Sequence, residues 1–135
     1  RHLLLLTLLL VTLGCGPDRP TTVPVSGTVT FNGNPPPAAG MLTFAPVAAA
    51  EGYPKRGGRA TFDTSGIYTV ETFAPGDGLI PGTYRVTVDC WKEAPTMENP
   101  QGGVSYVARD FERPEITIEI SDRSREIPIE VVQAK

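Results

Sequence analysis

The sequence predicts an all-β protein: a single antiparallel β-sandwich of seven strands that follows an N-terminal signal segment. After residue 22, apolar and polar residues alternate in many short stretches, which is typical of half-buried strands. No stretch of this region has apolar residues spaced at the helical period. The 14 glycines and 14 prolines of the 135-residue chain also interrupt nearly every segment long enough to form a helix.

The first three strands are predicted in the N-terminal half. Alternating apolar positions place the first strand at residues 25–31, and Asn32-Gly33 follows it as a turn. The prolines at 35–37 cannot donate hydrogen bonds to a sheet, so they belong to the next connection. The second strand is expected around residues 41–45 and the third at about 58–62.

The middle of the chain predicts a tight turn and two more strands. In the turn at residues 63–66, Asp63 can accept hydrogen bonds from backbone donors and Gly66 can adopt positive φ. The fourth strand follows at residues 67–72. The fifth is the strongest of all and covers residues 83–90, after a loop rich in glycine and proline.

The C-terminal third predicts the last two strands and one irregular segment. Isoleucines at 116, 118 and 120 indicate the sixth strand, and apolar residues at 127, 129 and 131 indicate the seventh. The polar residues 121–125 are predicted to join them as a hairpin. Residues 91–115 are too long for a plain connection, and a short extra strand is expected at 104–107. Seven strands in about 110 residues suggest a sandwich of immunoglobulin-like size.

The N-terminal residues resemble a bacterial secretion signal. Arg1 and His2 precede a leucine-dominated run over residues 3–13, which ends at Gly14-Cys15. This run would cover roughly 16 Å as a helix, about half the thickness of a bilayer. We therefore expect residues 1–14 to be a lipoprotein signal peptide, cleaved before Cys15. The sequence begins at Arg1 and not at Met, which leaves open a start further upstream.

Cys15 is the predicted lipid-attachment residue. Gly14 and Cys15 fit the usual lipid-attachment pattern, whereas Thr12 and Leu13 depart from it. The alternative is an ordinary signal peptide or an uncleaved anchor, in which Cys15 is incidental. The polar residues that follow favour a lipidated tether at 15–22, before a domain at 23–133. Two acyl chains such as palmitate would hold the protein on a membrane, whereas one chain is marginal.

Charge and cysteine content limit the possible partners. From Cys15 onward the chain has 11 basic and 15 acidic residues, which argues against nucleic acid and against electrostatic docking on anionic lipid. Lipidation of Cys15 would leave Cys90 without a disulfide partner. Its place in the alternation of the fifth strand predicts a buried, small apolar residue. The alternative is an exposed thiol that cross-links two copies.

Three motifs resemble the carboxypeptidase regulatory-like domain, a family with a transthyretin-like fold. They are residues 26–33 (SGTVTFNG), 63–68 (DTSGIY) and 81–88 (PGTYRVTV). The resemblance covers most of residues 25–90, and beyond them only the strand pattern agrees. It implies a non-catalytic accessory or adhesion-type module. We expect Tyr68 and Tyr84 to have structural roles, with buried rings and bonded hydroxyls.

The sequence offers little catalytic chemistry. Its only histidine, His2, lies in the signal segment, so triads, histidine zinc sites and histidine acid–base roles are not expected. The sequence has no glycine-rich phosphate loop. We therefore expect a protein that is not an enzyme and has no cofactor other than covalent lipid on Cys15.

Two functional hypotheses follow. The first is a structural or protein-interaction module, tethered to an envelope membrane and contacting an unidentified envelope protein or glycan. Gly16 after Cys15 favours the outer membrane. The second is an accessory module that binds carbohydrate or calcium. For this alternative the candidate binding residues are Trp91, Tyr106 and Tyr53, and the weak metal candidates are Asp63, Asp77 and Asp110.

Overall fold

A computed structural model describes residues 19–112 and 114–135. The predicted signal peptide and the lipid-attachment residue Cys15 lie outside the described residues. Within the described part, the chain is all-β and has no helix. It accordingly contains no helical segment with the length and apolar character needed to cross a membrane.

The described residues form ten strands. The first five are β1 (Val25–Phe31), β2 (Gly40–Ala49), β3 (Gly58–Phe62), β4 (Ile67–Thr69) and β5 (Gly82–Asp89). The other five are β6 (Trp91–Glu93), β7 (Val104–Ser105), β8 (Glu115–Ile118), β9 (Arg125–Glu126) and β10 (Ile129–Val131).

Two four-stranded sheets and a small hairpin organise these strands. In the first sheet, β1 is central, with β4 along one side and both β9 and β10 along the other. The second sheet has the order β3-β2-β5-β8, and all its pairs are antiparallel. Strands β6 and β7 pair only with each other.

One apolar core is shared by the two sheets. Alternate residues of β1, β3 and β5 are buried, as expected for strands with one face on a core. Aromatic rings meet across the core: Phe31 of the first sheet lies 6.5 Å from Phe62 of the second, and Tyr68 lies 6.3 Å from Phe44. The predicted all-β class is confirmed, and this packing is compatible with a β-sandwich.

Two details of the predicted topology are wrong. The fold is not purely antiparallel, because β1 pairs in parallel with β9 and β10. Residues 121–125 do not form a hairpin either: they carry the chain from β8 in the second sheet to β9 in the first. Local bonds shape this crossover. The Asp122 carboxylate accepts the Glu119 N–H at 2.8 Å and contacts Arg125 at 3.2 Å, and Arg125 also donates to the Thr117 carbonyl at 2.8 Å.

The strand count of the described residues differs from the predicted seven. The last predicted strand, with apolar residues at 127, 129 and 131, is present only as β10, and the additional two-residue strand β9 precedes it. Pro128, which has no backbone N–H to donate, lies between the two. Segment 91–115 contributes the pair β6 and β7. The expected extra strand at 104–107 is thus present, as Val104–Ser105.

Three strand ends also differ from prediction. Strand β2 extends beyond residue 45 to Ala49, with an irregularity between Pro46 and Ala48. Strand β4 ends at Thr69 and not at residue 72, although Val70 still donates to the Val25 carbonyl and Glu71 forms an isolated bridge with Arg59. Ile120 lies outside β8 and is 61% exposed.

The two predicted turns are confirmed. Asn32 and Gly33 have φ of 50° and 80°, and they connect Phe31 with Asn34, which exchange two backbone hydrogen bonds. Positive φ at both central residues is typical of a tight hairpin turn. In the second turn, Gly66 has φ of 79° and Asp63 accepts the Ser65 N–H at 2.8 Å.

The strands define two ends of the domain. The end that includes Arg19 and Val23 is here called the proximal end. The loops 50–57, 70–81 and 119–124 lie at the same end. Val23 is fixed there by two backbone hydrogen bonds with Leu79, of 2.8 and 2.9 Å. The opposite, distal end carries the turns at 32–33 and 63–66 and the β6–β7 hairpin.

Candidate binding surface

Cys90 is a buried core residue, as predicted. Its exposure is 0%, and its thiol contacts the Ala38 carbonyl at 3.5 Å. Burial raises the pKa of the Cys90 thiol, which disfavours the reactive thiolate. The alternative of an exposed thiol that cross-links two copies is therefore wrong for the folded domain.

Tyr68 and Tyr84 have the buried rings and bonded hydroxyls that the sequence predicts. The Tyr68 hydroxyl donates to the Ile127 carbonyl at 2.5 Å, and the Tyr84 hydroxyl donates to the Ile80 carbonyl at 2.6 Å. Both residues belong to the core cluster. Both side chains therefore hold parts of the fold together.

The three candidate metal ligands do not share a site. Asp63 lies in the β3–β4 turn at the distal end, whereas Asp77 lies in the proximal loop 70–81, and Asp110 is exposed on the segment before β8. Hydrogen bonds from the hydroxyl and N–H of Ser65 lower the pKa of Asp63. Over the described residues, no three histidine, cysteine, aspartate or glutamate side chains gather in a group that could hold a metal ion.

Asp77 has a structural task in its loop. Its carboxylate accepts three backbone N–H groups, from Thr72 at 2.7 Å and from Phe73 and Ala74 at 3.0 Å each. Partial burial raises the pKa of Asp77, but these hydrogen bonds outweigh it and leave the pKa below its usual value. The carboxylate therefore fixes the turn that ends β4.

Replacing Asp77 by asparagine is expected to reduce the free energy of unfolding by about 1 kcal/mol at neutral pH, since charge-assisted bonds to the backbone are weakened. The lowered pKa means that the folded state favours the ionised carboxylate. Its contribution is present above the ordinary aspartate pKa and is lost as pH falls through the lowered value. Urea denaturation of the parent protein and of Asp77→Asn should therefore give a smaller difference in free energy of unfolding at about pH 3 than at neutral pH. A pH-independent difference would contradict this role.

The three aromatic candidates lie in two places. Trp91 is 40% exposed in β6, and Tyr106 follows β7 on the same hairpin and packs partly against the core. Tyr53 belongs to the loop after β2, near Pro81 at the start of β5. The eight residues of β5 separate these positions, a length of about 26 Å. Tyr53 and Trp91 therefore cannot contact one small sugar together.

A groove lies at the edge of the second sheet, near the proximal end. It has two adjoining parts of about 740 and 440 Å³, which share Met41, Arg59 and Glu71 in their walls. Arg56 and Phe73 line the larger part. The groove therefore combines apolar surface with charged groups.

Two arginines lie over the same aromatic ring beside this groove. The guanidinium carbon of Arg56 lies 4.6 Å from the centre of the Phe73 ring, and that of Arg19 lies 5.8 Å from it. Both distances are within cation–π range. Neither arginine has a carboxylate partner among the described residues. We call this group the Phe73 stack.

Sequence reasoning missed the Phe73 stack for a physical reason. Arg19 lies in the predicted tether, Arg56 in the β2–β3 loop and Phe73 in a loop before β5. No periodic pattern links these positions. They meet because the Val23–Leu79 pairing lays the entering chain against loop 70–81, a contact that only the fold creates.

A scan of the chain against protein-family models gave no match, and neither did searches of curated proteins and of solved structures.

Proposed function

We propose that this protein is a non-catalytic lipoprotein of a bacterial envelope, in which a lipid on Cys15 anchors a structural or protein-interaction domain. The observation that carries the proposal is the run of apolar residues at 3–13, followed by Gly14-Cys15 and a short polar segment. Signal peptides have this layout. We place the protein on the outer membrane, since Gly16 follows Cys15.

The finer fold assignment belongs to the same proposal. We infer an immunoglobulin-like sandwich, related to the transthyretin-like fold of the carboxypeptidase regulatory-like domain. Tyr84 supports this inference, because its hydroxyl bonds back to the carbonyl of Ile80, four residues upstream, at the start of β5. Such a tyrosine corner is a hallmark of immunoglobulin-like sandwiches.

A non-catalytic role is supported by the uses of the polar side chains. Asp63 and Asp77 bind backbone N–H groups in turns, and Cys90 is buried with a raised pKa. The only histidine of the chain lies in the proposed signal peptide. These two aspartates and the cysteine therefore serve the fold, which fits a non-catalytic module.

Substituting Cys15→Ala tests the anchor. We expect the Cys15→Ala protein to carry no lipid. Its labelling with radioactive palmitate should fall to background, and its precursor should not be cleaved before residue 15. The matched control is Cys90→Ala, which removes the other cysteine of the chain and should leave labelling and membrane fractionation unchanged. Undiminished palmitate labelling of the Cys15→Ala protein would overturn the proposal.

A further inference from the structure

The Phe73 stack lies where the chain enters the domain. Arg19 is four residues from Cys15, and a fully extended chain covers at most about 14 Å over that distance. On its other side, Arg19 stays within about 14 Å of Val23, which is bound to Leu79. If Cys15 carries lipid, the Phe73 stack is therefore held close to the depth of the phospholipid head groups.

The guanidinium groups of the stack are available to anionic ligands. Arg19 and Arg56 lie against the ring of Phe73, which orients them without neutralising their charge. Two carboxylates close to Phe73 in the chain are already engaged. Glu71 pairs with Arg59 at 3.2 Å, and Asp77 accepts three backbone N–H groups. Guanidinium groups bind phosphate oxygens in a bidentate manner.

The acidic surplus of the chain is placed mainly away from this surface. Six carboxylates lie on the distal turns and segments: Asp63, Asp89, Glu93, Glu98, Asp110 and Glu112. The negative net charge of the chain, which by itself argues against docking on an anionic membrane, is therefore unevenly distributed and lies mainly at the distal end. The proximal loops 50–57, 70–81 and 119–124 carry five carboxylates, and with Arg19 they carry four basic groups, so the proximal end is close to neutral. The charges of the stack that have no carboxylate partner can therefore act on an anionic surface there.

We propose that the Phe73 stack docks the proximal end of the domain onto the anionic phosphates of phospholipid head groups. This inference rests on the proposed function, because the lipid on Cys15 supplies the closeness to the membrane. Docking would orient the domain upright, so that the β6–β7 hairpin, with Trp91 and the fully exposed Met97, points away from the bilayer towards other envelope components.

The test measures docking without the lipid. All core residues lie between Val23 and Val131, so a chain of residues 15–135 with Cys15→Ser contains the whole described core. Its co-sedimentation with vesicles of phosphatidylcholine is compared with that on vesicles in which a third of the lipid is phosphatidylglycerol. We expect binding to the anionic vesicles only, decreasing with salt. The double variant Arg19→Gln and Arg56→Gln should bind them at least about tenfold more weakly.

The matched control removes the same charge from the distal end. The double variant Lys92→Gln and Arg109→Gln should bind anionic vesicles like the parent protein, and circular dichroism should show that both double variants are folded. Equal binding to neutral and anionic vesicles, no binding to either, or equal losses in the two double variants would overturn the docking proposal. None of these outcomes would change palmitate labelling of Cys15. A failure of the docking proposal can therefore be distinguished from a failure of the proposed lipid anchor.

Discussion

Replacing Tyr68 by alanine is expected to reduce the free energy of unfolding by about 4 kcal/mol, the usual cost of deleting a buried aromatic side chain. The ring is 1% exposed and contacts Phe44 of the opposite sheet. Because small domains are stable by about 5 to 15 kcal/mol, this loss would remove between about a quarter and four fifths of the free energy of unfolding. Urea denaturation followed by circular dichroism measures it.

The Tyr68 hydroxyl makes a separate contribution. It reaches the Ile127 carbonyl, which lies between β9 and β10, and so ties β4 to the C-terminal strands across β1. Tyr68→Phe keeps the ring but leaves this carbonyl without that donor, for an expected loss of about 1 to 2 kcal/mol. Thr69→Ala, on the exposed neighbouring residue, is the control and should change stability by less than about 0.5 kcal/mol.

Measurements at alkaline pH separate the contribution of the Tyr68 hydroxyl to stability from the contribution of ring packing. Burial raises the pKa of Tyr68 well above its ordinary value, so the folded state retains a proton that the unfolded chain loses above about pH 10. The stability that depends on this proton is complete below the ordinary pKa and decreases as pH rises above it. The difference in free energy of unfolding between the parent protein and Tyr68→Phe should therefore become smaller at alkaline pH. Tyr84, whose pKa burial raises to about 12, remains in both proteins and affects them equally. A constant or widening gap would contradict the proposed bond.

Local sequence patterns were sufficient for much of this fold. The alternation in β1 and β5 predicted which residues are buried, because the side-chain period of a strand is fixed by its backbone. The turns at Asn32-Gly33 and Asp63–Gly66 were predicted from side chains whose preferences act over four residues. Each of these features is decided by neighbours in sequence.

The errors arose where distant parts of the chain decide the structure. Residues 121–125 have a composition suited to a hairpin, but β9 and β10 pair with β1, about 100 residues earlier. No local pattern specifies that parallel pairing. The Phe73 stack is hidden from the sequence for the same reason, since Arg19, Arg56 and Phe73 come from three separate segments.

The contact that holds the stack in place depends on one glycine. Gly78 has φ of 95°, and a Cβ atom there would lie 1.8 Å from the Val23 carbonyl oxygen. Any side chain would therefore force apart the backbones that form the Val23–Leu79 pairing. We expect Gly78→Ala to cost about 3 kcal/mol, from backbone strain together with loss of these hydrogen bonds.

Gly76 provides the matched control in the same loop. Its φ of 73° is equally unfavourable for alanine, but the nearest atom to an added Cβ is the Thr69 Cγ2 at 3.7 Å, an ordinary contact. Gly76→Ala should therefore cost only the conformational strain, about 1 kcal/mol. Urea denaturation gives both values, and hydrogen exchange should show faster exchange of the Val23 and Leu79 amides in Gly78→Ala alone. Equal losses in the two variants would mean that positive φ, and not the close approach to Val23, is what requires glycine at position 78.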